Sequence, residues 1–146
     1  MSKWRAKALE HFPAIRKEIE AADSISALWI ELIAMLHSHY RSGVQDNQIE
    51  GAGYVRSVSM YAIWCSRSES QRIRDAALIE FYEYLPKFAL ECPETVYRRI
   101  VADLVSNIGM AEVAKMGAVL AEADRKRFLT DAHKADDDRK RKSQRR

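Results

Sequence analysis

Two carboxylates three residues apart, Glu80 and Glu83, are the side chains of this sequence best spaced for acid–base work. Glu80 stands three or four residues from Ala76, Ala77 and Tyr84, on or beside the apolar stripe of a helix. A carboxylate there must be paired or hydrogen-bonded, or its pKa rises. It reads either as an acid at a ligand or catalytic site, or as a packing residue fixed by a salt bridge or a tyrosine hydroxyl; the packing role is the expectation. Glu31, inside the most apolar helix, poses the same choice. Neither acid has the second half of a mechanism. No Gly-x-Ser-x-Gly, Gly-x-x-x-x-Gly-Lys-Ser/Thr or Gly-x-Gly-x-x-Gly pattern occurs, and Gly51-Ala52-Gly53 lacks the rest of a nucleotide fingerprint. The expectation leans away from an enzyme, with no catalytic residue and no cofactor assigned.

Four histidines could ligate a metal: His11, His37, His39 and His133. His37 and His39 are two positions apart, roughly 200° around a helix, so they do not readily share one ion there. A di-iron bundle needs Glu-x-x-His on two helices, and neither copy is present. Metal ligation is therefore not expected, and the histidines read as solvent-facing or capping groups.

Aromatic residues crowd the middle of the chain: Trp29, Tyr54, Tyr61, Trp64, Phe81, Tyr82 and Tyr84. Most fit a core. Trp64 and Tyr82 fall off the main apolar stripes, and exposed aromatics anchor interfaces. Those two, with Glu80 and Glu83, are the candidate partner-binding residues.

The elements that position these groups are helices. With 146 residues, 47% hydrophobic and 31% charged, the chain can bury a core, and its few glycines and prolines leave long uninterrupted stretches. Residues 2–21 read as one helix or two short ones around Pro13. Ser24 is the expected cap of a helix whose stripe is Ile25, Leu28, Trp29, Leu32, Met35 and Leu36, ending at Gly43. Asp46 is the expected cap of a third helix carrying Tyr54, Val55, Val58, Tyr61, Ala62 and Cys65. Ser68 opens a fourth, with Ile73, Ala77, Phe81 and Tyr84 inward, and Pro86 ends it. Pro93 and Glu94 start a fifth over Tyr97, Ile100, Val101, Leu104 and Ile108, stopped by Gly109. Met110–Ala121 is a sixth, and Asp124 caps a seventh carrying Phe128 and Leu129. The fold class is all-α: a single helical domain over 1–133, a bundle or stacked helical hairpins of six to seven helices, followed by a charged tail over 134–146.

That tail holds the basicity. Arg139, Lys140, Arg141, Lys142, Arg145 and Arg146 contribute six of the charges behind the net +3, leaving +3 − 6 = −3 for residues 1–138. The tail, frayed or disordered, could hold nucleic acid through electrostatics, although Asp136, Asp137 and Asp138 partly neutralise it. Cys65 and Cys92 make no disulfide framework, no signal peptide is visible, and no apolar run is long enough for a bilayer. A reducing, cytoplasmic setting without membrane contact is the default expectation.

Two segments, Tyr61-Ala62-Ile63-Trp64-Cys65 and Phe81-Tyr82-Glu83-Tyr84-Leu85-Pro86, resemble a family of small, uncharacterised bacterial helical proteins. That family carries Tyr-Ala-x-Trp-Cys followed by Phe-Tyr-Glu-His-Leu-Pro, so Tyr84 stands where its histidine would be. Its members look like proteins encoded beside bacterial toxins. The resemblance implies an immunity protein that neutralises a cognate toxin, a binding module rather than a catalyst. A regulator contacting nucleic acid through the tail is the next expectation, and an enzyme using Glu80 or Glu83 the last.

Overall fold

The computed structural model describes residues 1–41 and 49–144, with side chains from residue 53 onward in the second stretch. Gly43, Asp46, Arg145 and Arg146, to which the sequence assigned roles, lie outside the described residues. The described elements are helical: α1 (Lys3–His11), a 3₁₀ turn (Pro13–Ile15), α2 (Arg16–Ala21), α3 (Ile25–Arg41), α4 (Ile49–Ser66), α5 (Gln71–Ala77), a π turn (Leu78–Glu83), α6 (Tyr84–Glu91), α7 (Glu94–Ile108), α8 (Met110–Gly117) and α9 (Glu122–Gln144). All-α holds. The helices outnumber the expected six or seven: Pro13 divides the N-terminal stretch. Even with α5, the π turn and α6 taken as one run, eight helical bodies remain among the described residues. No described helix is long and apolar enough to cross a membrane.

Contacts divide the chain into two compact units, Met1–Phe81 and Tyr82–Arg146. In the first, α4 packs against α1, α3 and α5, and α3 also meets α2 and α5. Its centre is aromatic. Trp29 and Tyr61 are fully buried with ring centroids 5.4 Å apart, Phe12 meets Tyr61 edge-on at 5.7 Å, and Phe81 lies 5.8 Å from Trp29. Such pairs add about 0.5–1.5 kcal/mol each beyond the area they bury. The buried Tyr61 hydroxyl donates to the Trp4 carbonyl at 2.9 Å, and Tyr54 donates to the Leu32 carbonyl at 2.7 Å. Each phenol therefore stitches one helix to the backbone of another.

Ser24 caps α3 as expected, its Oγ accepting from the Ala27 amide at 3.1 Å. The stripe of that helix differs at two positions: Met35 is exposed, while Ile33 and Tyr40 are buried. Glu31 is exposed too, so it is no buried acid. The cap of α5 is Ser70, which accepts from the Ile73 amide; Ser68 instead accepts from the Ser70 amide in the turn before it. Ser68 therefore shapes the approach and not the helix start.

The π turn corrects the reading of the next stripe. A π turn is wider than an α turn, so the residues beyond it are rotated relative to a continuous 3.6-residue period. Ile73, Ala77 and Phe81 stay inward, but Tyr82 and Leu85 become buried while Tyr84 turns out and is 40% exposed. Pro86 does not end the helix; it lies inside α6. A proline there has no N–H for the carbonyl four residues back, that of Tyr82, and the π turn lies where that bond would fall.

In the second unit α7, α8 and α6 each pack on α9, and α7 also meets α6 and α8. Gly109 separates α7 from α8 with φ +86°, a conformation that glycine adopts without strain. Tyr97, Ile100, Val113, Met116 and Phe128 are fully buried. Residues from Lys134 continue α9 to Gln144. Phe128, Ala132 and Asp136 repeat every fourth position on its buried face. Ion pairs at three- and four-residue spacing support its end: Asp136 with Arg139 (3.4 Å) and Lys140 (3.2 Å), and Asp138 with Arg141 (3.2 Å). Lysine and arginine also suit the negative end of a helix dipole.

Candidate functional site

α1 and α4 run beside each other in the first unit, and the groove along their edge has a volume of about 810 Å³. Its α1 wall carries Lys3, Lys7 and His11, spaced by four and therefore on one face. Its α4 wall carries Met60, Ile63 and Trp64, spaced by three and four, and Arg67 follows in the turn just past the helix. The turn Ser68–Ser70 closes one end, where Arg74 donates to the carbonyls of Ser68 (2.7 Å) and Glu69 (2.9 Å) and holds the turn in place.

Trp64, one of the two aromatics expected at a surface, is half-buried in this groove. Its ring stacks on Tyr61 with planes 10° apart and centroids 6.0 Å apart. Tyr61 is itself locked by the bond to Trp4, so the indole is backed by a rigid ring and keeps its outer face toward the groove. The Tyr61–Cys65 segment is thus split by function: Tyr61, Ala62 and Cys65 go to the core, and Trp64 looks outward. Burial pushes the Cys65 thiol up to about 12, which leaves it a packing group and not a nucleophile.

The groove's charge is positive. Lys3, Lys7 and Arg67 face it against one carboxylate, Glu69. Lys7 is shared with Glu10 at 3.1 Å, while Lys3 and Arg67 form no ion pair among the described residues. Burial and the neighbouring Lys7 hold His11 below its usual value, outweighing Glu10. At neutral pH it is an uncharged ring beside Tyr61, centroids 6.0 Å apart.

The other expected site residues are dispersed. Tyr82 is buried and so is not an exposed anchor; the π turn rotates it inward. Glu80 is half-buried in a shallower hollow of about 400 Å³ shared with Arg72 and Asp75, and Glu83 is exposed. Arg139, Lys140, Arg141 and Lys142 are exposed on the last turns of α9, three of them engaged with Asp136 or Asp138. The hydrogen bond from Lys140, and then Arg139, holds the Asp136 carboxyl below the usual carboxylate range. His133 is exposed, and no three His, Cys, Asp or Glu side chains among the described residues converge as metal ligands.

A second cluster joins α7 to α9. Tyr97 donates to Asp131 Oδ2 at 2.6 Å, the Arg127 guanidinium lies 4.2 Å over the Tyr97 ring, and Arg127 reaches Glu94 Oε2 at 2.7 Å. Glu94 also accepts from Arg98 at 2.8 Å, which with Arg127 holds its carboxyl low. Burial, and then Asp131, push the Tyr97 hydroxyl up. Every member is satisfied by another, so the cluster fastens two helices.

Lys3, Lys7 and Arg67 were not among the expected site residues, and His11 was expected as a solvent-facing or capping group. The signal for two of them was their spacing: Lys3 and Lys7 stand four apart and so share one face of a helix. No protein-family model, no curated protein and no solved structure matches this chain.

Proposed function

We propose that this chain acts by binding another protein, without catalysis, and that the α1–α4 groove is where it does so. In its sharpest form the reading is an immunity protein that neutralises a cognate toxin, the role suggested by the resemblance of residues 61–65 and 81–86. The observation that carries the binding reading is Trp64, an aromatic ring held from behind by Tyr61 and offered to an open groove. Large, rigid aromatics in partly desolvated hollows are the residues that dominate binding energies. Nucleic acid held by the end of α9 is a weaker reading, because Arg139, Lys140 and Arg141 already have acidic neighbours.

The test is affinity capture from source cells at high salt with the full-length chain and with Trp64→Ala. The proposal expects a stoichiometric protein retained by the parent and reduced at least about tenfold by Trp64→Ala, the scale of a hot-spot truncation. A partner held equally by both proteins would sink the groove assignment. Recovery of nucleic acid alone, released by salt, would sink the protein-binding reading.

A further inference from the structure

The partner's chemistry follows from the groove, on the reading that the groove binds protein. We infer that it takes an acidic peptide segment of the partner, with one large apolar side chain seated on Trp64 and carboxylates facing Lys3, Lys7 and Arg67.

Three observations carry this. Lys3 comes from α1 and Arg67 from the turn just after α4, and neither is neutralised by an ion pair among the described residues. Glu69 is the one carboxylate in the lining, so the charge facing a ligand is positive. Between the cations lie Met60, Ile63 and Trp64, an apolar strip at helical spacing that could receive a side chain but offers it no hydrogen bond beyond the indole N–H. An acidic segment with an apolar centre complements this order of groups from wall to wall. A pocket for a small molecule encloses most of its ligand; this groove is open along one side and suits an extended segment of chain. The hollow beside Glu80 suits an acidic ligand less, since its lining holds one cation, Arg72, against the two carboxylates Asp75 and Glu80.

The experiment uses the full-length chain and fluorescein-labelled peptides read by anisotropy. One peptide has a central leucine flanked by glutamates; its counterparts carry lysines or serines in their place. The glutamate peptide is expected to bind at least about tenfold more tightly than either counterpart, and to weaken as salt rises. Replacing the central leucine with serine should cost at least about fivefold. The combined variant Lys3→Glu, Lys7→Glu, Arg67→Glu should reverse the preference in favour of the lysine peptide. A reversal is a gain that a misfolded protein does not give, and circular dichroism checks the helices independently.

Equal binding of the glutamate and lysine peptides, or no binding of the glutamate peptide, overturns the inference. So does its displacement by free sodium glutamate at matched carboxylate concentration, which would reveal a site for small anions. These outcomes separate from failure of the broader reading. A partner captured through Trp64 but indifferent to the charge reversals leaves protein binding standing and removes only the acidic segment.

Discussion

Gly117 closes α8 where its backbone meets α9, and one added methyl measures how close that approach is. A Cβ at this position would stand 2.8 Å from Leu129 Cδ2, 3.1 Å from Leu129 Cγ and 3.4 Å from Phe128 Cδ1. Two effects oppose each other in Gly117→Ala. Alanine gains up to about 1 kcal/mol over glycine in a helix interior. Gly117 is the last residue of α8, so about half of that is a fair share. Against it, Leu129 must give way. Its half-buried Cδ2 can swing, but Cγ sits next to its own backbone and clears only if χ1 or the helix moves. Overpacking of this kind costs about 1–3 kcal/mol. The net expectation is a loss of about 1 kcal/mol for Gly117→Ala. Gly117→Val should lose about 2–3 kcal/mol, because it adds two further methyls to a Cβ already crowded by Leu129 and 3.4 Å from Phe128 Cδ1. In a Leu129→Ala background the cost of Gly117→Ala should vanish, a coupling of about 1 kcal/mol. Urea unfolding followed by far-ultraviolet circular dichroism reads all four corners of this cycle, provided the slope with denaturant stays constant. If Gly117→Ala proves more stable than the parent, with no coupling to Leu129, the α8–α9 approach described above is wrong.

Other consequences are equally direct. Cys65, buried and with its thiol pushed up to about 12, should resist iodoacetamide in the native chain while the half-buried Cys92 labels first; comparable rates by mass spectrometry would contradict the packing of Tyr61 and Cys65. His11 and His37 are both held below their ordinary value of 6.5, chiefly by burial. For a histidine with a lowered folded pKa the unfolded chain takes up the proton first, so stability is full above about 6.5 and declines as pH falls through 6.5 toward the folded value. The urea midpoint should therefore drop between about pH 7 and pH 5, less so in His11→Gln and His37→Gln, and a midpoint that rises on acidification would refute it. Tyr97→Phe removes the hydroxyl bonded to Asp131 and should cost about 1 kcal/mol, since Asp131 can regain water at its half-exposed position. No loss at all would mean that this bond does not fasten α7 to α9.

Much of the fold was legible because burial follows period. Ile25, Leu28, Trp29, Leu32 and Leu36 keep helical spacing, and so do Tyr97, Ile100, Val101, Leu104 and Ile108; all are buried. Gly109 stops α7 as its type suggests. The period failed where the backbone changed its own period. At Leu78–Glu83 the π turn inserts a wider turn, so counting by 3.6 residues sends Tyr84 inward and Tyr82 outward, the reverse of what is found. Composition failed at α9, where apolar residues vanish after Ala135 yet the helix runs on, sustained by Asp136, its two cations and the Asp138–Arg141 pair. Trp64 could be found as the aromatic off the stripe of its helix. Lys3 and Lys7 could not be joined to it by spacing within one helix, because they reach the groove only once α1 packs on α4.

The groove beneath Trp64 is the proposed working surface. A photo-crosslinking amino acid at position 63, in the groove, can be compared in living source cells with the same group at position 30, where Ile30 is 58% exposed on α3. One discrete protein adduct is expected from position 63 and none from position 30. An adduct from position 30 with none from position 63 would contradict it.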